Sequence, residues 1–342
     1  GSIHAKHLDL SNANGTVDIH VGAINNTPTF ITDKPILEQD TGESIVQLVS
    51  ADQVTGISTG GLKLDIYDAN GNLVSNSNSA VQLDIEQSGK KVANGKYGYG
   101  LQSFKDVDST TADGLYVSYK LTEIELLTKG DDALILHAAA GKTGNGADLA
   151  AKVTGAGDLI IATDSNYLSL SNGDNDYTGV TDVRKGNLML ENSDVLGQTS
   201  LLNLEADTSV SLFGYVGNKL GVTQAVGAVT AAKNSLINLG NQGELTVKGN
   251  ANSTIDGNIL GGSAAKLIFD KADNLISSQN TGLASRVEVN NDAILQTYHS
   301  TSIGSAGDVV IADDAQLLLG NYDIGNTGFG KALNGKGDVI II

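Results

Sequence analysis

A chain of 342 residues with 42 glycines, 5 phenylalanines and no tryptophan cannot build an aromatic-rich globular interior, so its core must be Leu, Ile, Val and Ala. The absence of cysteine excludes disulfide staples and thiolate metal sites, yet says nothing of compartment, because exported chains also avoid cysteine. A formal net charge of −18 repels nucleic acid and anionic lipid, and its plainest role is to keep a long surface soluble, with metal affinity or a cationic partner as the alternatives.

In chain order, Gly1-Ser2 reads as a tag-cleavage scar. No signal peptide opens the chain, and no apolar run reaches the roughly 20 residues of a membrane helix. Residues 3–27 read as strand and coil, with alternation over Gly15-Thr16-Val17-Asp18-Ile19-His20-Val21. Residues 28–130 read as a non-repetitive β-rich subdomain or insertion. Alternation recurs there in Leu62 to Tyr67, Val81 to Ile85 and Leu121 to Leu126. Asp68-Ala69-Asn70-Gly71-Asn72 supplies an Asn-Gly hairpin turn between two such runs. Tyr67, Tyr97, Tyr99, Phe104, Tyr116 and Tyr119 also gather in this part.

Residues 131–342 read as solenoid coils, after a soft boundary near 130–150. The unit Val153-Thr154-Gly155-Ala156-Gly157-Asp158-Leu159-Ile160-Ile161 returns as Leu333-Asn334-Gly335-Lys336-Gly337-Asp338-Val339-Ile340-Ile341. Shorter relatives begin at Gly186, Gly243 and Gly307. Each is a turn glycine, a polar residue and an aliphatic run, at uneven spacing, as in repeat proteins whose coils differ by loop insertions. Helical patterning is weak, with Ala138–Ala140 and Ala147–Ala151 the only candidates. Coils of roughly 20–25 residues stacked at about 4.8 Å would give a rod on the order of 60–80 Å long. The last opener stops inside a strand at Ile342, so the chain is expected to be a segment of a longer rod, truncated at its C-terminus.

One stretch carries more than periodicity. Asn175-Asp176-Tyr177-Thr178-Gly179-Val180-Thr181-Asp182-Val183-Arg184-Lys185-Gly186-Asn187-Leu188 resembles the N-x-Y-T-G-x-T-x-V-x-x-G-x-L repeat of autotransporter passenger domains. Leu196-Gly197-Gln198-Thr199-Ser200-Leu201-Leu202-Asn203-Leu204 is similar to the segment that follows it, and Gly114 to Leu121 resembles AIDA-type adhesins. The match is specific over about 155–205 and looser to 342. The resemblance implies an all-β fold, a right-handed parallel β-helix displayed outside a Gram-negative cell. A C-terminal outer-membrane barrel, not included in this chain, would anchor it. It further implies adhesion to host matrix or cell-surface glycans, or self-association between cells in aggregation and biofilm growth. On its own chemistry the motif is structural: Asn and Asp suit turns, Gly179 and Gly186 permit φ > 0 at corners, and Tyr177 is expected to cover a coil edge.

No zincin, nucleophile-elbow, P-loop or Cys/His metal spacing is present, and neither is the G-D-S-G context of serine-protease autotransporters. His4, His7, His20, His137 and His299 are scattered. A β-helical polysaccharide lyase or hydrolase would need converging acids or a basic residue beside acids. The available pairs are Asp106/Asp108, Asp131/Asp132, Asp174/Asp176 and Asp313/Asp314, with Arg184 and Arg286 the only arginines. Adjacent acids point apart on a strand, Asp174 and Asp176 lie in a turn, and no catalytic residue is assigned. Asp65, Asp68, Asn70 and Asn72 loosely resemble a calcium loop, but turn chemistry explains the same residues, so no metal or cofactor is expected. The best candidate for ligand contact is the basic island Ser88 to Gly100, with Lys90, Lys91, Lys96, Tyr97 and Tyr99 among glycines. The bland alternative is a solvated hairpin tip with tyrosine packed inward. Three functions remain in play: an adhesive passenger, a purely structural stalk for a distal domain, and a glycan-active enzyme.

Overall fold

The computed structural model describes residues 2–11, 13–21, 36–40, 42–56, 59–75, 81–106, 109, 111–137, 148–164, 167–213, 221–320 and 330–342. These residues are nearly all β: a parallel β-solenoid preceded by a non-repetitive β region, as the sequence predicts. The Ala138–Ala140 candidate helix lies outside the described residues, and Lys152–Gly155 beyond the second alanine stretch is strand.

Each glycine opener precedes a strand of four residues: Leu159–Ala162, Asn187–Leu190, Glu244–Val247, Asp308–Ile311 and Asp338–Ile341. These strands belong to three different sheets, so the opener marks corners of the coil rather than one fixed phase of it. A ten-stranded parallel sheet runs from Leu134–Leu136 to Asp338–Ile341. A second, of six strands, runs from Asp148–Leu149 to Asn258–Leu260, and a third, also of six, from Thr223–Val226 to Ala332–Gly335. Registers such as Leu295 on Leu317 on Val339 set a coil of 22 residues. Alternate residues point inward, so Leu, Ile and Val stack into one continuous core that extends from Ile36 and Leu37 to Leu317. The two long copies of the opener share one corner. Gly155 and Gly335 end their strands at φ +94° and +99°, a left-handed conformation that admits glycine readily.

Before the third sheet begins, the Asn-Asp-Tyr-Thr-Gly segment holds that side of the rod without regular strand. Its backbone still bonds coil to coil, Asp176 and Thr178 N–H to the carbonyls of Val153 and Gly155. Asn175, buried, accepts from Val153 N–H at 2.7 Å and donates to the Val195 carbonyl at 2.8 Å, linking the coils on either side. Tyr177 does not cover a coil edge. It is fully buried, and its hydroxyl meets Thr181 Oγ1 at 2.6 Å. Gly179 needs no positive φ; it is glycine because a Cβ there would collide with the Gly157 carbonyl oxygen.

In the N-terminal region Ile3–Asp9 runs parallel to Glu43–Thr55, which pairs antiparallel with Gly114–Leu126, followed by Lys90–Gln102 and Val81–Gln87. Gly15–His20 pairs with Leu62–Tyr67, and the expected hairpin turns at Gly71, φ +82°, into Leu73–Ser75. Asp68 is consumed by that turn, accepting from the N–H groups of Asn70 and Asn72 and from Asn72 Nδ2.

This region closes the open end of the rod, where a parallel solenoid exposes unpaired backbone. Strand Lys152–Gly155 is covered by Gly114–Leu126, which makes the two regions one sheet. Ile135, in the first strand of the ten-stranded sheet, bonds the Gln87 side-chain amide through both its N–H and its carbonyl, each at 2.8 Å. The N–H groups of Ala150 and Ala151 donate to the Asp40 carboxylate at 2.9 and 2.7 Å, from the end of the short helix Ile36–Asp40. Three exposed edges thus receive a strand, an amide and a carboxylate.

Candidate recognition cleft

The cap meets the rod along a wedge. Leu62 and Leu64 pack with Tyr99 on the small cluster of Leu101, Leu115 and Val117, which fixes strand Leu62–Tyr67 above the cap sheet. The same sheet continues into the first coil through Lys152–Gly155. Between strand, sheet and coil lies a cleft of about 350 Å³, in the lower part of the range for small-ligand sites. Gly100 contributes open backbone to its wall, where a Cβ would press on Lys120 Cε at 2.8 Å.

Its polar lining is a set of pairs. Lys63 meets Asp174 at 3.1 Å, joining the cap strand to the rod, and Lys96 meets Glu123 at 3.0 Å. Lys152 reaches Asp176 at 3.5 Å, just beyond the lining. Asp65 lines the cleft and has no hydrogen bond or ion pair among the described residues. Four lysines against three carboxylates leave the lining one positive charge in excess, within a chain of net charge −18.

Beneath the cleft lies a buried acidic cluster. Lys120 and Asp40, both nearly inaccessible, stand 3.9 Å apart. Asp148, also buried, accepts from the hydroxyls of Ser169 at 2.6 Å and Ser171 at 2.7 Å. Burial pushes its carboxyl up to about 7; the serine bonds oppose the rise, and the charges of Asp40 and Glu191 add to it.

Of the five residues expected to contact a ligand, the structure brings Lys96 and Tyr99 together in this cleft. Lys90 and Lys91 lie outside it, paired with Asp132 at 2.7 Å and Asp84 at 2.9 Å. Tyr97 is core: at 2 % exposure it offers no surface, and burial pushes its hydroxyl up to about 12. Sequence reasoning missed Lys63, Lys120, Glu123 and Lys152, which read only as polar positions of strands, and weighed Asp65 only for a calcium loop; nothing in their spacing says that three separate elements converge.

Among the described residues, the acids of the sequence-predicted pairs are tied to separate partners or exposed. Asp131 binds Arg184 while Asp132 binds Lys90, and Asp174 and Asp176 bind Lys63 and Lys152. Asp313 and Asp314 are exposed on a turn, and Asp108 lies outside the described residues. The histidines stay apart: His4 with Ser50, His7 with Thr55, His20 stacked on Tyr67, His137 on the Ala162 carbonyl and His299 beside Gln279. Among the described residues no group of three His, Asp or Glu could hold a metal ion, and no helix is long and apolar enough to cross a membrane.

No protein-family model and no solved structure matches the chain. It is 41 % identical over 239 residues to the uncharacterized protein YuaQ of Escherichia coli K12, an alignment covering 69 % of this chain and 16 % of that protein. It is 32 % identical over 363 aligned positions to the uncharacterized lipoprotein YdeK of the same organism, covering 96 % of this chain and 26 % of the relative. The chain therefore spans about a sixth and about a quarter of the lengths of these curated relatives.

Proposed function

We propose that this chain is a segment of a bacterial surface-displayed passenger of the autotransporter type, acting as an adhesin toward host matrix, cell-surface glycans or neighbouring cells. The observation that carries this reading is a capped parallel β-solenoid with a ligand-sized cleft at its capped end. A rod holds such a cleft at a distance, and many copies convert weak contacts into firm attachment. The cell envelope as location is supported by the lipoprotein relative, and export to the surface by the resemblance of residues 175–188 to passenger repeats.

The cleft favours binding over catalysis. A glycosidase needs one carboxyl seated to donate a proton and a second placed across the scissile bond. Here Glu123 and Asp174 are each bonded to a lysine. A stalk supporting a distal domain is the second reading, favoured by outward side-chain ladders that satisfy themselves. Asn203 donates to Asp182 at 2.8 Å and Thr230 to Asn203 at 2.6 Å, leaving little unmet polarity for a partner on that face. Beads coated with the 342-residue chain distinguish the two. An adhesin captures matrix protein or epithelial cells, or clumps its own beads, above an uncoated control; a stalk leaves all three inert.

A further inference from the structure

We propose that the cleft between cap and rod is a binding site for a short, uncharged oligosaccharide. The argument begins with its charges. Lys63 with Asp174 and Lys96 with Glu123 set donors beside acceptors, and the lining as a whole is nearly neutral. Lys120 and Lys152 also face carboxylates, Asp40 and Asp176 just outside the lining, so an anionic ligand would compete with a partner at every lysine and also approach a molecule of net charge −18. A sugar hydroxyl donates and accepts at once, so it can enter beside an ammonium and a carboxylate without orphaning either. Asp65, without a partner among the described residues, provides an additional acceptor.

Shape and apolar surface point the same way. A volume of about 350 Å³ suits one or two pyranose rings rather than a peptide segment. Leu62, Leu64 and Tyr99 supply an apolar strip for the C–H face of a ring. Leu62 and Leu64 alternate with Lys63 and Asp65, so the strand brings apolar and charged groups to the cleft from its two faces.

The proposal rests on the adhesive reading only for where the saccharide comes from. The test uses the labelled 342-residue chain on an array of neutral, sialylated, uronic and sulfated oligosaccharides, followed by titration of the best neutral sugar. Binding is expected to neutral sugars and to weaken at least tenfold in Asp65→Ala and in Lys63→Ala, with Lys90→Ala unchanged. Hydrogen exchange on the unmodified chain guards against misfolded variants: the sugar is expected to protect 62–65 and 96–100. An empty array, binding confined to acidic sugars, or full affinity in both cleft variants overturns the proposal. Coated beads that capture cells beside an empty array leave the adhesive reading intact and remove only the saccharide. A positive array with inert beads does the reverse.

Discussion

Asp148 is a carboxyl whose folded environment holds its proton to about pH 7, whereas an unfolded aspartate loses it near 3.8. Between those values the native state binds the proton and the unfolded state does not. This group's contribution to stability therefore falls as pH rises from about 4 to about 7 and is level above. Asp148→Asn removes this titration, so the fall in denaturant midpoint from pH 5 to pH 8 is expected to be smaller in the variant than in the parent chain. An identical pH dependence in both proteins would refute this assignment. Asn175 makes a second prediction. Asn175→Ala strands a buried N–H on Val153 and a buried carbonyl on Val195, at a cost of about 2–4 kcal/mol in denaturant unfolding. Asn280 makes the same bridge, accepting from Ile259 N–H at 2.8 Å and donating to the Ser302 carbonyl at 2.6 Å, so Asn280→Ala is expected to match it. A change below about 0.5 kcal/mol in both would place the coil-to-coil bond elsewhere.

At the scale of elements, the glycine openers were legible because a corner is a local event, set by a few residues whose φ and bulk the sequence displays. Tyr177 was misjudged for the opposite reason: its motif is local, but whether a side chain turns in or out depends on the coils stacked above and below. The strands and the hairpin of the cap were legible, but its docking on the rod was not. Gln87 covers Ile135 from 48 positions away, and Asp40 reaches Ala151 from 111, distances over which no pattern runs. Gln87→Ala leaves both polar groups of Ile135 without that amide, and faster amide exchange at Ile135 is expected, equivalent to about 1–3 kcal/mol of local opening. Unchanged exchange at Ile135 would mean that the strand beside it, Leu159–Ala162, suffices to hold the edge.

For the whole molecule, composition foretold a thin aliphatic rod, and the stacked Leu, Ile and Val core follows from it. The basic island foretold two cleft residues, Lys96 and Tyr99, and no more, because the remaining polar lining comes mainly from strands Leu62–Tyr67 and Gly114–Leu126 and from the first coils. On this account recognition belongs to the capped end and the coils beyond it serve as spacer. The direct measurement is capture of cells by beads carrying three forms of the chain: the parent, the cleft variant Lys63→Ala/Asp65→Ala, and a rod variant, Lys266→Ala/Arg286→Ala, altered in the third sheet. Parent and rod variant are expected to capture equally, and the cleft variant to lose at least nine-tenths of the bound cells. Loss in the rod variant with the cleft variant unimpaired would contradict the account.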